Sequence, residues 1–478
     1  MKSRLSKFRR PSRLFLAALP LLLAGYVGTA AAGADPPGAS ASSSGTVLQT
    51  NLVSDLPGAA ALTDPNLVNP WGISDSGGSP MWISDNNAGA STLYSVPGAN
   101  NTPVSINSLV VGIPTPVSAT GGAPTGTVFN TGSATGAFKV SSATTSAPAA
   151  FLWATEDGTI LGWNPTVNPT QAVIAVDNSG NNFTEPDPNK QTGAVYKGLA
   201  IATSTTPIFA ADANSTSVLY AANFRAGTVE VYDANFAPVA LPAGAFQDSR
   251  LPHGYAPFDV QVLGGKVYVT YARQDKSRHD DVGGPHRGFV DVFNLDGSPG
   301  LPNGSARLVT RGPLDSPWGL AIAPQGFAGL TTSTGNSVLL VGNFKNGHID
   351  AFDSITGAPL GELRDPDGEP IDIDGLWALR VGNGGNGGAA NTIYFTAGLF
   401  SEAHGLLGSL STVAPGTPEG PAESQWVQAA MDAVQLDQQT LAADTASGAP
   451  AATIENDVDT LRADSRTLRE AQEEDADG

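Results

Sequence analysis

The sixteen residues VLYAANFRAGTVEVYD, from Val218 to Asp233, return as VLLVGNFKNGHIDAFD from Val338 to Asp353. A chain that repeats a unit of several tens of residues is built from elements that cannot bury their apolar faces alone. The repeat therefore restricts the fold to stacked or radial arrays of one supersecondary unit. Each copy is preceded by a second shared element, YKGLAIA from Tyr196 and SPWGLAIAP from Ser316, so the unit is longer than the opening match. Four weaker copies complete the series: NPWGIS with MWISDNNAGASTLYSV, PTGTVFN with FLWATEDGTILGWN, APFDVQVLGGKVYVTYARQD with GFVDVFN, and IDGLWALRVG with NTIYFTAGLFSEAHGLLGSL. Taking Gly72, Gly126, Gly198, Phe258, Gly319 and Trp377 as equivalent, the steps are 54, 72, 60, 61 and 58 residues. That period suits one propeller blade with its loops.

Within a unit the apolar residues alternate, as in Val229 and Val231 around Glu230, which is the pattern of a strand. Asn223 and Asn343 precede Gly227 and Gly347, so the repeated stretch reads as two strands joined by a hairpin turn. Fifty-six glycines, thirty-six prolines and 7% aromatics fit many short strands better than long helices. Small residues in GLA and GI suit the crowded innermost strand of a blade. The expected fold is all-β, a six-bladed β-propeller with a short C-terminal α-helical extension. The sixth copy lacks a fourth strand, and GTVLQTNLVS from Gly45 alternates like one, so the N-terminal strand is expected to close the ring.

The P-x-G-L-A strand, followed by L-Y-x-A-N and G-x-I/V-x-V-F/Y-D, resembles the NHL class of β-propeller repeats. Together NLVSDLPGAAALTDPNLVNPWGIS, YARQDKSRHDDVGGPHRGFVDVF and YFTAGLFSEAHGLLGSL are similar to one exported bacterial NHL-like family, some of whose members carry a PEP-CTERM sorting tail. The resemblance covers roughly residues 46 to 412 and implies a fold and a location. It carries over no catalytic residues, because no activity is established for that family. A sorting tail is not evident in this sequence.

The two ends read differently from the body. MKSRLSKFRRPSR carries six positive charges and is followed by the apolar LFLAALPLLLAGYVGTA and then by small residues, the pattern of an export signal over residues 1–32. Removing those six charges changes 24 basic against 44 acidic residues to 18 against 44, a net of −26. Such a surface argues against a nucleic-acid partner, which needs clustered lysine and arginine. With no cysteine there are no disulfides and no thiol chemistry. The mature chain is expected to have no transmembrane segment, to be periplasmic or secreted, and to be a monomer. The remaining boundaries are a flexible segment over 33–44, the propeller over 45–412, a Pro/Gly linker over 413–424 and an acidic helical tail over 425–478. In the tail, Trp426, Ala430, Met431 and Val434, and then Ile454, Val458, Leu461, Ser465 and Leu468, fall at helical spacing around TASGAPAA, which suggests two short helices.

In a four-stranded antiparallel blade, the loop leading into the inner strand and the turn between the second and third strands open on one face. His253, His279, His286, His348 and His404 all map there, with Asn69, Asp85, Asn223, Asn343, Asp374 and Glu402; Asp259 stands within an inner strand. His279, Asp280, Asp281 and His286 lie within eight residues and offer mixed imidazole and carboxylate ligands, although Lys276, Arg278 and Arg287 also suit a loop held by ion pairs. Asp85, Asn223 and Asn343 could converge on a hard cation such as calcium, and turn stabilisation explains the same three residues without a ligand. DPDGEPIDID from Asp365 matches a calcium loop only in its first three residues. No organic cofactor is evident, and no nucleophile elbow or phosphate loop occurs. The expected function is an extracytoplasmic binding or interaction protein for a small molecule, glycan or protein. The alternative is a metal-dependent, calcium-type hydrolase or lactonase at the axial channel.

Overall fold

A computed structural model describes residues 46–96, 98, 103–180, 193–417 and 422–450, and further along 453, 454, 458, 460–462 and 465; all belong to one compact unit, Ser42–Gly478. Residues 1–45, which include the expected export signal and the segment expected to be flexible, lie outside the described residues. The repeats form six antiparallel sheets around an axis. Blade 1 contains Pro70–Ser74, Met81–Asp85 and Ala90–Ser95 with two short edge strands, and blade 2 contains Pro124–Phe129, Phe151–Thr155, Thr159–Trp163 and Val173–Asp177. Blade 3 has three described strands, Tyr196–Thr203, Ser217–Asn223 and Thr228–Tyr232; at its outer edge only the bridge from Tyr232 to Pro238 is formed among the described residues. Blade 4 is Tyr255–Leu263, Lys266–Arg273, Phe289–Phe293 and Arg307–Thr310, and blade 5 is Pro317–Ile322, Val338–Asn343, Ile349–Asp353 and Pro359–Glu362.

Blade 6 takes only three strands from its own repeat, Leu376–Val381, Ile393–Ala397 and Leu406–Thr412. Its outer strand is Val47–Ser54, paired antiparallel from Val47 opposite Thr412 to Ser54 opposite Leu406. The ring is thus closed by hydrogen bonds between the two ends of the propeller. Val47 and Val53 are fully buried in this seam. A latch secures it: His404 Nδ1 lies 2.8 Å from Asp55 Oδ2, Gly405 N donates to Asp55 Oδ1, and Ser54 Oγ donates to Gly405 O.

The inner strands pack edge to edge at the axis, and the glycines expected there are required by contact. A Cβ on Gly72 would lie 2.6 Å from Thr125 O of the next blade, closer than any real side chain approaches a carbonyl. All six inner strands also share one irregularity. Near the start of each, two residues oppose a single residue of the second strand, as between Pro70 and Ile73, Tyr196 and Gly198, or Pro257 and Asp259. This register corrects the sequence alignment by one residue: Phe258 and Trp377 are equivalent to Trp71, not to Gly72. Asp259 and Ala378 are the residues in the glycine position.

The C-terminal extension begins with a helix over Ala422–Ser447, longer than either of the two short helices expected. It ends where Gly448 adopts φ 74 ahead of Pro450, which cannot continue it. Helical backbone resumes among the described residues at Thr453 and Ile454. Described side chains of the helix from Val434 onward are exposed or half-buried, as its acidic composition requires.

Burying Val47 and Val53 contributes about 1.5–3 kcal/mol each, and deleting the strand also strips one edge of blade 6. Removing residues 46–54 should lower the melting temperature by at least about 10 °C or give an aggregating product. An unchanged melting curve would show that the ring closes some other way.

Candidate functional site

A β-bulge re-aims the side chain it displaces, and six equivalent bulges bring six side chains to one level of the axis: Trp71, Thr125, Lys197, Phe258, Trp318 and Trp377. Four are aromatic, and with Phe344 and Phe224 they fill the channel. Trp377 is stacked by Trp71 at 3.5 Å and by Phe344 at 3.8 Å, and Trp318 meets both indoles edge-on at 6.1 and 5.8 Å. Phe258 packs against Trp377 and Phe224. The three tryptophans are at most 2% exposed. They form a plug, not an open platform.

Lys197 is the exception in this ring. It is 2% exposed, and its Nζ lies 5.0 Å from the centroid of the Trp71 ring. The ammonium is ion-paired with Glu156 and lies 3.5 Å from Asp280 Oδ1. Burial pulls a lysine toward its neutral form, but Glu156, Asp280 and Glu402 more than offset this, so its pKa lies above the usual lysine value. The group is therefore a permanent cation beneath a ring of acceptors. His279 Nδ1 lies 2.7 Å from Asp280 Oδ1 and 4.0 Å from Glu156 Oε1. That hydrogen bond, together with Lys197, holds the Asp280 carboxyl down at about 2.

Glu402 completes the mouth from the other side. It ends a run of three non-glycine residues at positive φ: Phe400 at 54°, Ser401 at 55° and Glu402 at 71°. Asp374 Oδ2 accepts a hydrogen bond from Phe400 N at 2.7 Å, fixing the start of the run. Asn69, itself at φ 48°, joins plug to mouth: its Oδ1 accepts from Trp377 Nε1, and its Nδ2 donates to Glu402 Oε1 at 3.4 Å and to Asn87 Oδ1 at 3.3 Å. Desolvation raises the Glu402 pKa, with Lys197 and Asn69 acting against it.

Of the residues expected from sequence, the fold brings Asn69, Glu402, His279 and Asp280 together. The rest it disperses. Asp374 is exposed and braces the Phe400 loop. Asn223 donates to Glu230 and accepts from Ala226 N, Asn343 donates to Asp350 and accepts from Asp315 N, and Asp85 accepts from Thr92 N. Asn223 and Asn343 tie their turns to the loops leading into the inner strands, Asp85 holds its own hairpin, and the three do not converge on a cation. His348 lies 3.7 Å from Glu362 at the outer edge of blade 5, and His404 belongs to the seam. His253 is exposed on its loop. Asp281 faces Lys345 at 3.6 Å and His286 contacts Gly312 O, so the expected four-residue cluster splits in two. Asp259 is buried in the glycine position beside Gly198. Its Oδ1 has no hydrogen-bond partner among the described residues, Gln261 donates to its Oδ2 at 3.2 Å, and burial raises its pKa.

Three donors lie within 4.8 Å of one another and could face a metal: Glu156, His279 and Asp280. Lys197 already shares the carboxylate oxygens of two of them. Glu156 belongs to the same loop face by sequence, and sequence reading missed Lys197. The available signal was the residue before each recurrent glycine, aromatic or small in five blades and a lysine in one.

The molecule so described is a six-bladed β-propeller, closed by its N-terminal strand, with an aromatic plug in the channel and a charged mouth above it. No family model matches the chain. It is 30% identical over 367 residues to an uncharacterized protein of Acanthamoeba polyphaga mimivirus, covering 75% of this chain and 78% of that protein. To a second uncharacterized protein of the same virus it is 31% identical over 370 residues, covering 75% and 84%. The chain belongs to the family of these viral proteins. Among solved structures it is similar to a glucose dehydrogenase, at 11% identity and TM-score 0.43 over 76% of this chain and 99% of that one. It is also similar to an aldose sugar dehydrogenase from Streptomyces coelicolor, at 11% identity and TM-score 0.39 over 77% and 99%.

Two expectations follow. Replacing Lys197 by Met should cost about 3–5 kcal/mol at pH 7 in chemical denaturation, because three carboxylates lose their buried counter-ion. Part of that loss should return as pH falls, because burial favours the protonated form of Glu402. In the parent chain, burial pushes the Asp291 and Asp350 carboxyls up to about 6. The stability linked to their protonation is fully present below the ordinary value near 4 and is lost as pH rises through about 6. Asp280 acts oppositely, contributing above about 4 and failing toward about 2. Calorimetric melting temperature should therefore peak near pH 4 and fall between about pH 4 and 6; a monotonic rise to pH 8 would contradict it.

Proposed function

We propose that this propeller is an exported binding protein that takes a small ligand rich in hydroxyl or ammonium donors at the mouth above the aromatic plug. The observation that carries the reading is the strained run ending at Glu402. Left-handed non-glycine residues cost about 1–3 kcal/mol each and gather where a side chain must be held for a task. Here the run buries Phe400 and turns a largely desolvated carboxyl toward Asn69, facing Glu156 and Asp280 across Lys197. The mouth is a set of fixed acceptors around one internal cation, a surface suited to donor-rich ligands. The basic and apolar leader supports export to the periplasm or beyond, as does the likeness of the repeats to exported NHL-like bacterial proteins.

A metal-dependent hydrolase or lactonase is the second reading, favoured by the close approach of Glu156, His279 and Asp280. A divalent ion about 4 Å from the Lys197 ammonium would be repelled by about 8 kcal/mol at an effective dielectric constant of about 20. Metal binding would require Lys197 to withdraw. The geometry fits the ammonium as resident cation.

Isothermal calorimetry of the mature chain against monosaccharides, short oligosaccharides and polyamines tests the reading, with metal analysis of the same preparation. A saturable ligand should lose at least about tenfold in affinity in Glu402→Gln while the melting temperature stays within a few degrees. Binding indifferent to that substitution would overturn the placement. A stoichiometric divalent ion retained through dialysis would overturn the binding-protein reading in favour of the hydrolase.

A further inference from the structure

Beneath the plug the channel is not filled. A cavity of about 380 Å³ extends from Trp318 to the far ends of the inner strands. It opens on the face opposite the charged mouth, where Gly264 is exposed and Leu263, Ile322, Val381 and Asn383 are half-buried. The space exists because side chains are missing: Gly72 and Gly126 stand in its wall, with Ala378 at the equivalent position of blade 6. Its volume falls at the low end of ligand pockets in folded proteins.

The walls are graded. Ile73, Val262, Leu320, Ile322, Leu379 and Val381 supply the apolar part of the body, with Thr127 and Gln261 among them, and two charged groups, Asp75 and Arg380, stand at the rim. Arg380 Nε donates to Asp75 Oδ2 at 2.8 Å, which orients the guanidinium across the junction of blades 6 and 1. Its Nη1 and Nη2 have no hydrogen-bond partner among the described residues. The two lining amides are committed: Gln261 Nε2 donates to Asp259 Oδ2, Asn383 Nδ2 donates to Ser76 O and Ser79 O, and Asn383 Oδ1 accepts from Gly385 N and Gly387 N. Arg380 therefore presents a fixed planar fork beside an apolar shaft with a closed end.

We infer that the axial cavity is a second ligand site, distinct from the charged mouth, for a small carboxylate with an unbranched aliphatic or aromatic body. The carboxylate pairs with the terminal nitrogens of Arg380, whose fork matches it in a bidentate way. The apolar body lies along the inner strands and ends against Trp318. Asp75 neutralises part of the arginine charge while holding its orientation, so the site favours a single negative charge at the rim over a dianion.

The test is calorimetry of the mature chain with octanoate and 3-phenylpropionate, with octanol and octanamide as uncharged counterparts. The inference expects saturable one-to-one binding of at least one acid, binding at least about tenfold weaker by the uncharged partner, and a similar loss in Arg380→Gln. Val381→Trp, which narrows the shaft from the rim, should abolish binding; if that variant melts much earlier than the parent, Arg380→Gln alone decides. Glu402→Gln should leave acid binding unchanged, which separates this site from the mouth. Absence of saturable binding by either acid at millimolar concentration, equal binding of octanol, undiminished binding in Arg380→Gln, or sensitivity to Glu402→Gln each overturns it.

Discussion

Every other feature of the molecule depends on the seam between Val47–Ser54 and Leu406–Thr412. Six twisted sheets around an axis bury their faces only if the first and sixth meet, and a sheet edge left open there would expose unpaired backbone and the apolar flanks of two blades. Backbone hydrogen bonds between chain ends some 350 residues apart make that contact, and the latch of Asp55 on His404 and Gly405 holds it on the mouth side. Once the ring is closed, the inner strands are forced to the spacing at which Gly72 meets Thr125 O. The central geometry is then set.

At that spacing the axis is too narrow for six large side chains and too wide to be dry without some. The shared bulge settles this by sending one residue per blade inward at a single level. The glycine position immediately after it leaves space further down the strands. The consequence is a channel closed by stacked rings on one side and hollow on the other. Chemistry divides accordingly: fixed acceptors around a buried ammonium lie above the plug, and an apolar shaft with an arginine rim lies below it.

The repeat made blade number, strand order and the closing strand readable, because two-residue alternation and turn residues report local backbone preferences that the fold keeps. The site was readable only in part. Asn69, His279, Asp280 and Glu402 were found by sorting loops by face, since topology fixes which loops share a side. The same sorting swept in His348, His404 and Asp374, because a face is wide and sequence does not say how far from the axis a loop residue stands. Asn223 and Asn343 were equally visible, and their contacts are with their own hairpins and with the loops leading into the neighbouring inner strands. Lys197 was overlooked because one lysine before a glycine resembles any surface lysine until the bulge turns it inward.

By itself the sequence determined the unit, its number and the means of closure, all of which follow from short-range pattern and from the need of each sheet to bury both faces. Only the tertiary structure decided what the axis contains. Whether Lys197 points to solvent or beneath Trp71, whether Glu156 meets His279 across 123 residues, and whether the channel is full or hollow depend on register offsets of one residue in six separate strands. A shift of that size leaves the apolar pattern almost unchanged and moves every side chain at the centre.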